Sequence, residues 1–140
     1  VVGFCCFFVR YQSHFGIELV VVVADVGGGE GSGAGAGGGI AVEVLPAADR
    51  AGAGPDLTIA VPTGLGQARN NVLVNAADAL IAVGGSWGTL SEIALAMRAG
   101  RIPVVQVGGW RVLDEEGHPA GGIVHATDPA AAVAATGLWA

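Results

Sequence analysis

Lysine is absent from this chain: its six basic residues are all arginine, namely Arg10, Arg50, Arg69, Arg98, Arg101 and Arg111. That absence removes whole classes of chemistry. No lysine can form a Schiff base with pyridoxal phosphate, and no Walker A lysine can hold a nucleoside triphosphate. A phosphate site must then be built from backbone N–H groups, hydroxyls or arginine. Charge as a whole is scarce, at 13% of residues, about half the usual share. The net charge of −6 and pI near 4.7 exclude a basic surface for nucleic acid or an anionic membrane. The two cysteines, Cys5 and Cys6, are adjacent, and a bridge between neighbours is strained, so a reducing cytoplasm is expected. No apolar run long enough to span a bilayer escapes interruption by charge or glycine. The apolar residues 1–9 lack the basic start and small-residue cleavage site of a signal peptide. His14, His118 and His125 share no metal-ligand spacing with one another or with a cysteine pair, so no metal and no resident cofactor are expected.

What is present is apolar sequence and glycine: 52% of residues are hydrophobic and 25 of the 140 are glycine. Abundant valine and alanine with few charges point to one α/β domain around a largely buried parallel sheet. Val1–Val9 reads as a strand, and Arg10–Gly16 is too short for a crossover helix. Ile17–Ala24 reads as a central parallel strand. Gly27–Gly39 holds nine glycines in thirteen residues and has no hydrophobic period. Strands follow at Ile40–Leu45 and Leu57–Val61. Gly66–Ala77 reads as a helix with Val72, Leu73 and Ala76 inward, and Ala79–Val83 as a strand. Thr89–Ala99 reads as a helix with Leu90, Ile93, Ala94 and Met97 on its apolar stripe, closed by Gly100. Val104–Val107 and Trp110–Leu113 read as strands, with a turn at Asp114–His118. Asp128 is a good N-cap with Pro129 at the first helical position, opening a helix over Ala130–Thr136. The β-α-β-α-β order of residues 57–107 is that of a doubly wound, Rossmann-like sheet.

The most specific stretch is Gly84-Gly85-Ser86-Trp87-Gly88-Thr89-Leu90-Ser91-Glu92. A strand ends at Val83, glycines turn the backbone and allow close approach of a ligand, and a helix begins near Thr89. Free N–H groups and the positive end of the helix dipole favour an anion there. Ligands of open α/β sheets collect at the carboxyl ends of strands, where this turn lies. Thr89-x-x-Glu92 is at the same time a capping box, a purely structural device. The two readings are compatible, because a partly exposed glutamate at a helix start can swing to a ligand.

This stretch resembles the P-G-G-x-G-T-x-x-E motif of the LOG family, the cytokinin riboside 5′-monophosphate phosphoribohydrolases, also labelled "possible lysine decarboxylase". A decarboxylase of the pyridoxal phosphate type is excluded by the missing lysine. The family's arginine at the start of the preceding helix is matched by Arg69 in Gly66-Gln67-Ala68-Arg69-Asn70. The resemblance runs over roughly residues 40–136 and is most similar to the branch that contains a molybdenum cofactor carrier. It implies a nucleoside 5′-monophosphate site. Backbone groups of Gly84, Gly85, Ser86, Gly88 and Thr89 would hold the phosphate. Arg69 would orient the ligand. Glu92 would act at the ribose during cleavage of the N-glycosidic bond by water, whose oxocarbenium character a carboxylate stabilises. It also implies a homodimer. Gly84 stands in place of the motif's proline, Ser86 in place of its second glycine, and Ser91 in place of its first acidic residue. The expected organisation is an atypical segment over 1–39, a truncated or degenerate form of the family's N-terminal part, followed by a LOG-type nucleotide-binding core over 40–140.

Three functional readings follow: a phosphoribohydrolase, a non-catalytic binding or carrier protein for a nucleotide or molybdopterin-type cofactor, and a remnant that keeps the sheet without the pocket. Ser91 favours the second over the first, and the Gly27–Gly39 run favours the third. Gly84–Gly88 also matches the G-x-S-x-G nucleophile elbow of serine hydrolases, but no oxyanion loop accompanies it. Gly33–Gly38 matches G-x-G-x-x-G only because the run is glycine-rich. Asn70, Asn71 and Asn75 read equally as ligand contacts or surface polarity. Asp114, Glu115 and Glu116 read as a solvated turn. Trp87 covers a base, meets a second subunit or joins the core; Trp110 and Trp139 read as packing residues.

Overall fold

The computed structural model describes residues 4–12, 18–24, 40–54 and 57–138, the first two stretches by their backbone alone. The glycine-rich run and both readings placed on it, a turn at Gly27–Gly29 and the match at Gly33–Gly38, lie outside the described residues. Seven strands form one sheet: β1 (Phe4–Gln12), β2 (Glu18–Ala24), β3 (Ile40–Leu45), β4 (Ile59–Pro62), β5 (Ala79–Val83), β6 (Val104–Val107) and β7 (Ile123–Ala126). Three helices accompany them: α1 (Arg69–Ala76), α2 (Trp87–Ala99) and α3 (Pro129–Ala135). The strand order is β4-β3-β2-β1-β5-β6-β7. The fold is Rossmann-like, as the β-α-β-α-β pattern leads one to expect.

All strands but β1 run in one direction. β1 pairs antiparallel with β2 on one side and with β5 on the other. The few residues between β1 and β2 suffice for a hairpin, whereas a parallel pair needs a crossover of a dozen or more. The chain steps outward from β1 to β4, then returns to the centre at β5 and steps outward to β7. Val83, the last residue of β5, stands opposite Phe4 at the start of β1. The Gly84 turn therefore leaves the middle of the sheet, where the order reverses and α/β sheets bind ligands.

Around β5 and β6 both faces of the sheet are covered. Leu80, Ala82 and Val104 pack with Val44 beneath Leu73, Val74 and Ala77 of the α1 region and Ile93 and Ala96 of α2. The alternate residues Ile81 and Val105 face the other way, against Ala132 of α3. Period-two alternation along β5 and β6 thus feeds two cores. Inside α1 the buried stripe is Arg69, Asn70, Leu73, Val74, whereas Val72 and Ala76 are exposed, not inward as their apolar character suggested. A 3-10 turn over Gly66–Ala68 precedes α1, and polar residues fill the first turn of its inner face, which hides the period. In α2 the buried residues are Thr89, Glu92, Ile93 and Ala96. Leu90, Ala94 and Met97 instead line an apolar pocket of about 350 Å³ shared with Val112, Ala120 and Ile123. Trp110–Leu113 is not a strand; Leu113 makes an isolated bridge to Pro119 around the Asp114–His118 turn. β7, unread in the sequence, is a four-residue edge strand.

α3 is capped as its sequence indicates. The Asp128 carboxylate accepts the Ala131 N–H at 2.9 Å and the Thr127 hydroxyl at 3.0 Å. These bonds, the Ala131 amide foremost, hold its pKa below the usual carboxylate value. A depressed carboxylate stabilises the fold above its unfolded pKa of about 3.9, and that contribution is lost as pH falls through the folded value. Asp128→Ala is accordingly expected to lower the thermal midpoint at neutral pH, and the two melting curves should converge in acid below about pH 4, followed by circular dichroism.

Candidate functional site

The site is built on the link between β5 and α2. Gly84 ends the strand at φ 72, and its N–H donates to the Val107 carbonyl at 2.9 Å. Only glycine enters that left-handed conformation at little cost. Gly109 lies beside it at φ 78, so close that a Cβ there would run into the Gly84 carbonyl. A Cβ on Gly85 would stand 2.8 Å from the Trp110 nitrogen and 3.1 Å from its ring. Gln106, buried on β6, ties the arrangement down by donating from Nε2 to the Trp110 carbonyl at 2.8 Å. The Gly84–Gly85 turn and the Gly108–Trp110 turn are thus locked face to face, and only glycine at 85 and 109 permits it.

Helix α2 is capped three residues earlier than the Thr89 capping box implies. Its N-cap is Ser86, whose Oγ accepts the Thr89 N–H at 3.2 Å. The Ser86 and Thr89 hydroxyls also lie 3.0 Å apart, and the Leu90 N–H reaches the Ser86 carbonyl at 2.9 Å. Ser86 and Thr89 are both good cap residues, and the glycine turn decides between them. With Ser86 capping, the amides of Trp87 and Gly88 occupy the first two helical positions, where no intrahelical partner exists, and neither donates to a described residue. Trp87 is exposed and Gly88 half-buried. Two amides without an acceptor among the described residues thus stand at the positive end of a 13-residue helix, at the carboxyl edge of β5, an arrangement that can receive an anionic oxygen.

Beneath this turn the first turns of α1 and α2 lie side by side. Arg69 is 6% exposed, Asn70 2%, and Glu92 1%. Asn70 Nδ2 donates to Ser91 Oγ at 2.7 Å, so Ser91, standing at an acidic position of the LOG motif, joins the two helices. Asn70 is a buried interhelical link and not surface polarity. Asn75 accepts from Arg101 at 2.6 Å on the surface, and Asn71 makes one long contact to the Ala68 carbonyl. Glu92 is not the partly exposed, swinging carboxylate the capping box suggested. One turn into a helix that begins at Trp87, it is buried. Of the expected set, Gly84, Gly85, Ser86, Gly88 and Thr89 lie in the turn and the start of α2, and Arg69 and Glu92 are buried residues of α1 and α2.

Trp87 is 78% exposed and Trp110 44%. Their rings meet edge to face, 5.0 Å between centroids and 78° between planes. Trp87 does not belong to the core, and Trp110 packs only by its inner side. Farther away, Asp114, Glu116 and His118 bring ligand atoms within 4.8 Å of one another, all exposed. The Asp114 carboxylate there accepts the amides of Glu116 and His118 at 3.1 and 2.8 Å, which accounts for the turn.

A Rossmann-like sheet with a glycine turn opening a central helix defines the class, and comparison with known proteins gives the family. Residues 26–133 match the SLOG cluster4 family: the chain belongs to it, in agreement with the LOG resemblance. An uncharacterized protein of Archaeoglobus fulgidus is 41% identical over 81 residues, 54% of this chain and 52% of that protein. The chain thus spans about half the length of that curated relative. A molybdenum cofactor binding protein from Rippkaea orientalis superimposes with a TM-score of 0.63 at 29% identity, covering 74% of this chain and 64% of that one. A molybdenum cofactor carrier protein from Chlamydomonas reinhardtii does so with a TM-score of 0.55 at 36% identity, covering 74% and 63%. No helix among the described residues is long and apolar enough to cross a membrane.

The locked turns make two substitutions informative. Gly109→Ala is expected to destabilise by about 1–3 kcal/mol, as overpacking does. Ser86→Ala should cost about 1 kcal/mol through the lost cap. Urea melts measure both, and a Gly109→Ala midpoint equal to the parent's would contradict the close approach of the two turns.

Proposed function

We propose that this chain binds a phosphate-bearing, nucleotide-like small molecule with its phosphate against the amides of Trp87 and Gly88. The carrying observation is that Ser86 caps only one amide of the first turn of α2, leaving two open at the carboxyl edge of β5. With no lysine in the chain, an anion at this edge is left to backbone dipoles, hydroxyls and arginine. The solved neighbours support the reading, since they are described as binding or carrying molybdenum cofactor, a phosphate-bearing ligand of the expected kind. Gly84, Gly85 and Ser86 shape the turn that presents these amides, and Thr89 closes it through its bond to Ser86. Arg69, buried at the start of α1, brings positive charge to the same sheet edge. The residues serve binding best, and a carrier or binding role follows.

A second reading, hydrolysis of the N-glycosidic bond of a nucleoside 5′-monophosphate, is favoured by Glu92 in Thr89-x-x-Glu92. Water would attack the ribose carbon as the base departs, and the Glu92 carboxylate would stabilise the cationic sugar. The burial of Glu92 at 1% exposure weighs against it, because the carboxylate must first be uncovered.

Calorimetric titration with AMP separates the two. Binding raises the thermal midpoint by linkage, by about 2.7 kcal/mol of added stability at a hundredfold excess over Kd. Arg69→Ala is expected to weaken binding. Carrier behaviour predicts no adenine above that from a Glu92→Gln control, measured by chromatography; release abolished in that variant would establish the hydrolase instead. Absence of binding by AMP, ribose 5-phosphate and a pterin phosphate alike would overturn the whole reading.

A further inference from the structure

Nothing in the phosphate cradle recognises the rest of a ligand, and the two tryptophans beside it are placed to do so. Trp87 supplies one of the open amides from its own backbone, so its ring is rooted at the cradle. That ring is 78% exposed, a costly place for a large apolar surface unless something covers it. Trp110 meets it edge to face, and Trp110 is fixed from below by Gly85 and through its carbonyl by buried Gln106. Edge-to-face packing uses one side of the pair and leaves broad indole surface facing water. Fixed, exposed aromatic faces next to a phosphate site are what stacks a flat ring in nucleotide-binding proteins, since every base offers a π-face.

Resting on the phosphate reading above, we propose that Trp87 and Trp110 form a stacking ledge that selects phosphates carrying a planar nitrogen heterocycle, a nucleobase or a pterin, over simple sugar phosphates. Trp87 is the principal specificity residue, and Gln106, Gly85 and Gly109 are positioning residues acting through Trp110. The ledge binds only what the cradle has already anchored, so ring and phosphate contribute together. No charge or hydrogen-bond donor is needed at the ring, and purines and pterins stack alike.

The test compares AMP, a pterin phosphate and ribose 5-phosphate by calorimetry and tryptophan fluorescence, on the parent chain, Trp87→Ala and Trp87→Phe. Trp87 is exposed at the helix start, so both variants are expected to fold, and their melting curves check it. The parent should bind at least one ring-bearing phosphate about tenfold more tightly than ribose 5-phosphate, with quenched fluorescence. Trp87→Ala should remove about that tenfold preference, and Trp87→Phe should keep most of it. Equal affinity of all three ligands for the parent, or an unchanged preference in Trp87→Ala, would overturn the ledge and leave the phosphate site standing. Failure of every ligand would overturn both. A fall in sedimentation coefficient on Trp87→Ala, with unchanged ligand preference, would assign the pair to a subunit contact and overturn the ledge.

Discussion

The mutual approach of two glycine turns underlies the rest of the site. Gly84–Gly85 and Gly109 pack backbone to backbone, with Gln106 clamping the second turn to β6. That packing sets the direction in which the chain leaves β5. The direction places Ser86, and not Thr89, at the N-cap of α2. The choice of cap then determines which amides are satisfied and which stay open. It also rotates the helix so that Thr89 and Glu92 are buried, Leu90, Ala94 and Met97 face the apolar pocket, and Trp87 stands in solvent. A side chain at 85 or 109 would shift all of these together.

Much of the fold is legible in the sequence because burial on two faces leaves a plain mark. β3, β5 and β6 coincide with their apolar runs at Ile40–Leu45, Ala79–Val83 and Val104–Val107. Asp128-Pro129 announces the start of α3, and Gly100 the end of α2 in the left-handed conformation. Where reading and structure part, the cause is local. β7 is short and its apolar character is broken by His125. In α1 the inner stripe begins with Arg69 and Asn70, so an apolar period is displaced by one residue. β1 runs against its neighbours, because strand direction is set by the length of a connection and carries no mark in the strand itself.

The site was legible in composition and position but not in exposure. Gly84–Glu92 marks the turn, and the place of Arg69 at a helix start comes with the LOG resemblance. That Glu92 is buried does not, because its burial depends on where the helix begins, and two cap residues three positions apart compete for that role. Ser91 and Asn70 carry complementary groups, yet nothing in either stretch alone says they meet. Trp110 looked like packing for a sound reason, since tryptophan is usually well buried. The signal that it lies at the site is the repeated pattern of paired glycines near a tryptophan, at Gly84–Trp87 and at Gly108–Trp110.

The account depends most on the open amides of α2 receiving an anionic oxygen, and these can be observed one by one. In a nitrogen–proton correlation spectrum of the labelled chain titrated with AMP, the Trp87 and Gly88 amides should show the largest downfield proton shifts. The Thr89 amide, already held by Ser86, should move less. Saturable binding that leaves the Trp87 and Gly88 amides in place while moving resonances elsewhere would contradict the account.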